Sequence, residues 1–331
     1  MSTAVAGVKR APGPVWVSCV AGALTLAGTE EGIAIPHDAV DADPFRLNCR
    51  NGVLDLRTGN LGPHDPALLL SKMTGAEYRP DADGEFAKFL ADVQPEQTMR
   101  DYLARLVGQA LEGRVTEHIL PIFHGAGANG KSTFTTAVCA ALGDNAGPAD
   151  ADLLTARTFD AHPTGTADLF GLRLAVLGES DRGRHLAEGT VKRLTSTEPV
   201  KARRMREDFW SFSPSHTFLL LTNHKPVIGG TDEGIWRRLR LVPWPVVIPP
   251  EQRDLDLGDK LALELDAVLA FLVAGYRDWH ARGLADPQEV TAATHAYREE
   301  SDVLSRFIAE RCLTFTASTA RSGELFGAWK A

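Results

Sequence analysis

Gly125-Ala-Gly-Ala-Asn-Gly130-Lys131-Ser132-Thr133, within a chain of 331 residues, decides how the rest is read. Its first eight residues satisfy G-x-x-x-x-G-K-[ST] in full. The apolar run HILPIFH (118–124) precedes them and the helical pattern FTTAVCAALG (134–143) follows. Glycines at this spacing let the backbone curl until successive N–H groups face phosphate oxygens, and the helix N-terminus adds partial positive charge. Lys131 is placed to reach the β- and γ-phosphates and Ser132 to offer its hydroxyl to Mg²⁺. The expected ligands are therefore ATP and Mg²⁺. The expected binding residues are Gly125, Gly127, Asn129, Gly130, Lys131, Ser132 and Thr133.

Further along, short apolar runs alternate with helical patterns: LRLAVLGES (172–180), TFLLLTN (217–223) and RRLRLVPW (237–244). Strands alternating with helices predict an α/β fold around a parallel sheet. Pro121 lacks an N–H for the ladder and should mark its strand's start. Glu179 closes the second run, at the end of a strand expected to neighbour the phosphate-loop strand. It is the candidate for orienting water and for the metal, with Asp181 the weaker choice. Asn223 ends the third run, where a polar amide can touch a γ-phosphate. Asp232-Glu-Gly-Ile-Trp236-Arg237-Arg238 offers an arginine, Arg237 or Arg238, to a phosphate held by a neighbouring copy.

Between the acidic and amide-ended runs lies VKRLTSTEPVKARRMREDFWSFSP (191–214). Residues 199–202 and 209–212 read as two strands, with 203–208 at the tip. Lys192, Lys201, Arg203, Arg204 and Arg206, flanked by aromatics, suit phosphate contacts and base stacking on a single strand.

Four regions follow from these patterns: a loose leader (1–44), a β-rich then helical part (45–113), the core (114–250) and a helical C-terminal part (251–331). Asn51-Gly52 signals a hairpin turn. Alternation of Val53, Asp55 and Arg57 with Leu54 and Leu56 predicts a half-buried strand. Residues 86–113 and 261–283 carry apolar residues at helical spacing. A further helix should bear Tyr297, Leu304, Phe307 and Ile308 on its inner side.

With 35 Lys+Arg against 43 Asp+Glu, the net charge of −8 excludes a uniformly basic nucleic-acid coat but not a local basic stripe. The four cysteines, Cys19, Cys49, Cys139 and Cys312, form no C-x-x-C pair, which excludes a zinc ribbon and makes reduced thiols the expectation. No apolar run is long enough for a membrane span, so no membrane partner is expected and a cytoplasmic location is the default.

The order GAGANGKST, LFGLRLAVLGES, VKRLTSTEPVKAR, FLLLTNHKP, DEGIWRRLRLVPW resembles a superfamily 3 helicase, and more narrowly the helicase part of the phage/plasmid primase–helicase family. The flanks LNCRNGVLDLRTGNLGPHDP and GYRDWHARGLADPQEVTAATHAYREESDVLSRFIAERC extend the likeness from about residue 45 to the end. The resemblance implies an AAA+-like P-loop NTPase core, a small N-terminal α+β region and a helical, partial winged-helix C-terminal region. It implies that Lys131 and Ser132 hold ATP and Mg²⁺, that Glu179 is the acidic residue, Asn223 the sensor, Arg237 or Arg238 the finger, and 192–206 the DNA-contacting segment. It implies a ring, usually a hexamer, that threads single-stranded DNA at a replication fork. Ser196-Thr197-Glu198 departs from the family's Gly-Gly-Asp turn. No primase site precedes residue 45, so priming is not expected. The end at Ala331 falls inside the implied winged-helix region and so implies a shortened chain. An ATP-switched assembly module that does not unwind DNA, and a small-molecule kinase, are the alternatives.

Overall fold

A computed structural model describes residues 13–30, 35–36, 39–156, 164–178, 183–229, 232–302, 307–308, 310–312 and 319–330. The chain falls into two compact units, residues 1–42 with 66–71, and residues 43–65 with 72–331. In the smaller unit a helix, α1, spans Gly13–Ala27, a stretch to which the sequence assigned no element. Asp41, at φ +55°, holds its fold by accepting the Ser71 backbone N–H at 2.8 Å.

The larger unit opens with strands β1 (Arg46–Cys49), β2 (Gly52–Asp55) and β3 (Leu61–Gly62) in an antiparallel sheet. Cys49 pairs with Gly52, so the two turn residues are Arg50 and Asn51 rather than Asn51 and Gly52. The Asn51 amide is occupied elsewhere, bonded on both sides to the Tyr78 backbone at 3.0 and 2.9 Å. Nor is β2 half-buried: Val53 and Leu54, which point to opposite faces, are 4% and 0% exposed, so both faces of the strand are covered. Helices α2 (Glu85–Val93) and α3 (Gln97–Gly108) follow, with Phe86, Phe89, Leu90 and Val93 forming one buried stripe at helical spacing.

The core sheet contains β4 (Leu120–His124), β5 (Ala146–Ala149), β6 (Leu174–Leu177), β9 (Thr217–Thr222) and β10 (Leu239–Pro243). Its order is β10-β4-β9-β6-β5 and every pair is parallel. This is the mixed α/β, P-loop-like architecture expected. Pro121 is the second residue of β4, and the β9 ladder opens one residue later, at Ile122↔Leu220. One expectation fails here. The acid-bearing strand β6 does not neighbour β4; β9 lies between them, because the chain crosses two strands to reach β5 and returns by way of β6.

Both sheet faces are covered. One packs against α2, α3, α4 (Lys131–Leu142) and α9 (Leu265–Arg282), the last ending at Gly283 as its sequence foretold. The opposite face carries α6 (Glu188–Leu194), α7 (Glu233–Trp236), α10 (Gln288–Ser301) and the hairpin of β7 (Val200–Ala202) and β8 (Trp210–Phe212). Further helices are the short α5 (Thr164–Ala167) and α8 (Leu257–Ala262) and a terminal α11 (Ser322–Lys330). The helix expected to run from Tyr297 to Ile308 stops at Ser301. Ile308 is exposed, and Leu304 lies outside the described residues.

His216, one residue before β9, is 2% exposed and lies edge-on to Phe218 at 4.5 Å. Burial pushes its imidazole down to about 4, and the nearby Leu194 carbonyl offsets this only in part. The folded state thus keeps His216 neutral until about pH 4, whereas an unfolded histidine protonates below about 6.5. Stability is fully present above about pH 6.5 and is lost as pH falls towards 4, by on the order of 3 kcal/mol. In urea unfolding across this window, His216→Phe should flatten the slope. An unchanged slope would contradict the assignment.

Candidate functional site

After His124 the chain curls with φ of +96° at Gly127, +48° at Ala128 and +81° at Gly130, and α4 then begins at Lys131. The curl is held from behind by the segment after β10. Ile248 N–H donates to the Ala128 carbonyl at 2.8 Å, Trp244 N–H to the His124 carbonyl at 2.8 Å, and the Asn129 side-chain amide to the Trp244 carbonyl at 3.3 Å. A Cβ on Gly125 would lie 2.2 Å from Asn129 Nδ2 and 2.5 Å from the Trp244 oxygen, so only glycine fits. The Trp244 ring packs on Phe123 and Phe134, fixing β4 and α4 behind the loop.

Lys131 is 4% exposed. Its Nζ donates to the Gly125 carbonyl at 3.1 Å, to Asn129 Oδ1 at 3.0 Å and to Asn223 Oδ1 at 3.1 Å. The structure thus brings Gly125, Asn129, Lys131 and Asn223 to one point at the carboxyl edge of β4 and β9. Ser132 is exposed and Thr133 half-buried in the first turn of α4. Glu179 and Asp181 lie outside the described residues; β6, which leads to them, ends at Leu177 on the far side of β9. His124, half-buried at the end of β4, is held below its ordinary pKa by burial and by the charges of Lys225 and Lys131. Beside the loop opens a cavity of about 840 Å³, lined among others by Phe89, Val93, Ala128, Thr133, Val247 and Leu255.

Arg237 and Arg238 lie elsewhere. They precede β10, whose Leu239 is in register with Leu120, the first residue of β4. The phosphate loop follows the last residue of β4, roughly 17 Å along the strand at about 3.3 Å per residue. Neither arginine is brought to the loop of its own chain. Arg237 is exposed, whereas Arg238 is 8% exposed with its Nε unbonded, and burial lowers its pKa.

The basic segment does form a hairpin, β7 pairing with β8 in the register Val200↔Phe212. Lys201 Nζ and Arg203 Cζ stand 4.6 and 4.9 Å from the exposed Phe209 ring, and Arg204, Met205 and Arg206 are exposed at the tip. Trp210 and Phe212 pack edge-on against Phe170, anchoring the base. Lys192 is not part of this group: it sits in the last turn of α6, ion-paired with Asp232 at the N-cap of α7.

Residues 19–95 match the family model described as D5 N terminal like, and residues 123–238 match a family of unknown function, DUF5906. The second match begins in β4 and ends at Arg238, so it contains the phosphate loop, Asn223 and the hairpin. The chain is 28% identical over 295 residues to a "Putative helicase" of Acanthamoeba polyphaga mimivirus, covering 82% of this chain and 31% of that protein. It is 25% identical over 300 residues to a "Putative primase" of African swine fever virus, with the same shares. The chain is homologous to these viral proteins, which are named "Putative helicase" and "Putative primase". It spans about a third of the length of these relatives. The apo structure of the NrS-1 C-terminal region shares its fold, with a TM-score of 0.58 at 14% identity over 89% of this chain and 70% of that one.

The sequence did not single out Trp244 and Ile248, whose backbones brace the loop, or His124. Trp244 was visible at the end of an apolar run, but strand periodicity does not reveal which carbonyl faces the loop. Loop bracing predicts that Gly125→Ala displaces Asn129 or Trp244. Near-ultraviolet circular dichroism of the tryptophans should change while far-ultraviolet ellipticity is retained, and an unaltered aromatic spectrum would contradict it.

Proposed function

We propose that this chain is an ATP-hydrolysing motor of DNA replication, a helicase that translocates on single-stranded DNA with ATP bound between copies of itself. The observation that carries this reading is the convergence of Lys131 and Asn223 at the mouth of a strained glycine loop. A buried ammonium and an amide on the neighbouring strand suit a terminal phosphoryl group, on which charge builds during transfer. Loop N–H groups and the start of α4 would bind the α- and β-phosphates. The cavity beside Ala128 and Thr133 has room for the nucleoside.

The hydroxyl of Ser132 stands exposed one residue past Lys131, which fits a metal that arrives with the nucleotide; Mg²⁺ would neutralise phosphate charge there. Glu179 is the residue assigned to orient water. Arg237 is the better candidate for the finger. It is exposed at the opposite edge of the sheet, so it can meet a phosphate held by another copy, whereas Arg238 is buried. A ring of copies, six by the family resemblance, would close such head-to-tail contacts. The hairpin supports a DNA-binding role for Lys201, Arg203, Arg204 and Arg206: cations grouped over one exposed aromatic match the needs of a stacked, charged strand. Lys192 takes part only if its pair with Asp232 opens.

ATP turnover should rise steeply with protein concentration and increase further with single-stranded DNA, and Lys131→Ala should abolish it. Turnover per chain that is independent of concentration and of DNA would refute the shared site. Arg204→Ala should weaken single-strand binding and reduce the slope of log affinity against log salt by about one. An unchanged slope in fluorescence anisotropy would exclude that residue from phosphate contact.

A further inference from the structure

Tyr297 on α10 is 2% exposed and touches two segments that the sheet keeps apart. Its hydroxyl donates to the Pro226 carbonyl, three residues beyond Asn223. Its ring stands edge-on to Trp236 at 5.3 Å, one residue before Arg237. Polar contacts repeat this arrangement on either side. Glu300 accepts from Lys225 Nζ at 2.6 Å, and Arg298 donates to Glu233 of α7 at 2.6 Å. One turn earlier on α10, Thr294 Oγ1 accepts the Leu241 N–H of β10 at 2.9 Å. One helix therefore grips the segment behind the amide that contacts Lys131, the short helix that ends one residue before Arg237, and the strand that follows.

We propose that Tyr297 is a positioning residue: it ties the segment behind Asn223 to the helix that presents Arg237, so that the phosphate state of one copy's site sets the arginine offered to the next. This rests on the trans-acting assignment of Arg237 given above. The physical basis is the stiffness of the link. A displacement of Asn223 as its contact with Lys131 changes is passed to Pro226, and the buried hydroxyl resists separating from that carbonyl because an unpaired buried polar group is costly. The motion goes to α10 and, through the packed Trp236 ring, to the residue before Arg237. The buried tyrosine is the main contact; the more exposed Arg298–Glu233 pair is weaker but ties α10 to α7 directly, so reversing either charge strains the same link.

Tyr297→Phe keeps the ring on Trp236 and removes only the hydroxyl. In the full chain, at protein concentrations where turnover has saturated, kcat for ATP should fall about five- to tenfold, the loss expected for one hydrogen bond, with KM within about twofold. Because the proposed link couples neighbouring sites, turnover of the parent should depend sigmoidally on ATP, and that of Tyr297→Phe hyperbolically. A lowered melting temperature with kcat and sigmoidicity unchanged would make Tyr297 merely structural and overturn the proposal. Should the phenylalanine variant fail to fold, the Glu233–Arg298 pair serves: Glu233→Arg and Arg298→Glu should each lower kcat, and their combination should restore it. Single variants that behave as the parent, or a combination that restores nothing, overturn the link. Arg237→Ala separates the two levels. If it hydrolyses ATP like the parent, the finger assignment falls; if it is inactive while the Tyr297 and pair variants are normal, only the link falls.

Discussion

The buried ammonium of Lys131 is the constraint on which the rest of the site depends. Taking a charge of this kind out of water without partners costs several kcal/mol, so oxygen atoms must be delivered to it. The Gly125 carbonyl and the Asn129 side chain come from the loop, which requires the positive-φ curl through Gly127, Ala128 and Gly130. Asn223 comes from β9, which requires that β9, and not the acid-bearing β6, lie against β4. The sheet order thus places Asn223 beside Lys131 at the carboxyl edge. The loop, in turn, cannot hold its curl unaided. The backbone of Trp244 and Ile248 supplies the brace, and the aromatic packing of Phe123, Phe134 and Trp244 keeps that brace in place.

The proposed sharing of the site between copies rests on the two ends of the same sheet. Parallel strands of matched register put the phosphate loop after β4 and the arginines before β10, at opposite ends of the same paired strands. Arg237 and Arg238 therefore do not reach the loop of their own chain, and the finger proposed above is one offered to another copy. The face bearing α7, α10 and the β7–β8 hairpin packs over the second hydrophobic cluster. The sites proposed for nucleotide, neighbouring copy and polynucleotide thus fall at different places around one sheet.

Much of this was legible in the sequence because its signals are short-range. The phosphate loop carries its own conformation in glycine spacing; β9 reads as a strand because TFLLLT has an unbroken apolar centre; the hairpin reads from two short stretches around a basic tip. What could not be read were contacts between distant segments. Nothing in RRLRLVPW distinguishes exposed Arg237 from buried Arg238, because burial there is decided by how α7 enters β10. Lys192 looked like a member of the basic group until Asp232, forty residues on, proved to be its partner. Asn51 looked like a turn residue with Gly52, but its amide is committed to Tyr78, which shifts the turn back by one. The adjacency of β6 to β4 was misjudged for the same reason: strand order depends on crossovers that periodicity does not encode.

Complementation between two inactive variants tests the shared site most directly. Lys131→Ala retains the arginine, and Arg237→Ala retains the lysine. Each should be inactive alone, and ATP turnover should reappear on mixing, rise with total protein and peak near equal proportions, because some interfaces then pair an intact lysine with an intact arginine. Inactivity of every mixture, despite co-assembly shown by light scattering, would contradict a site built from two copies.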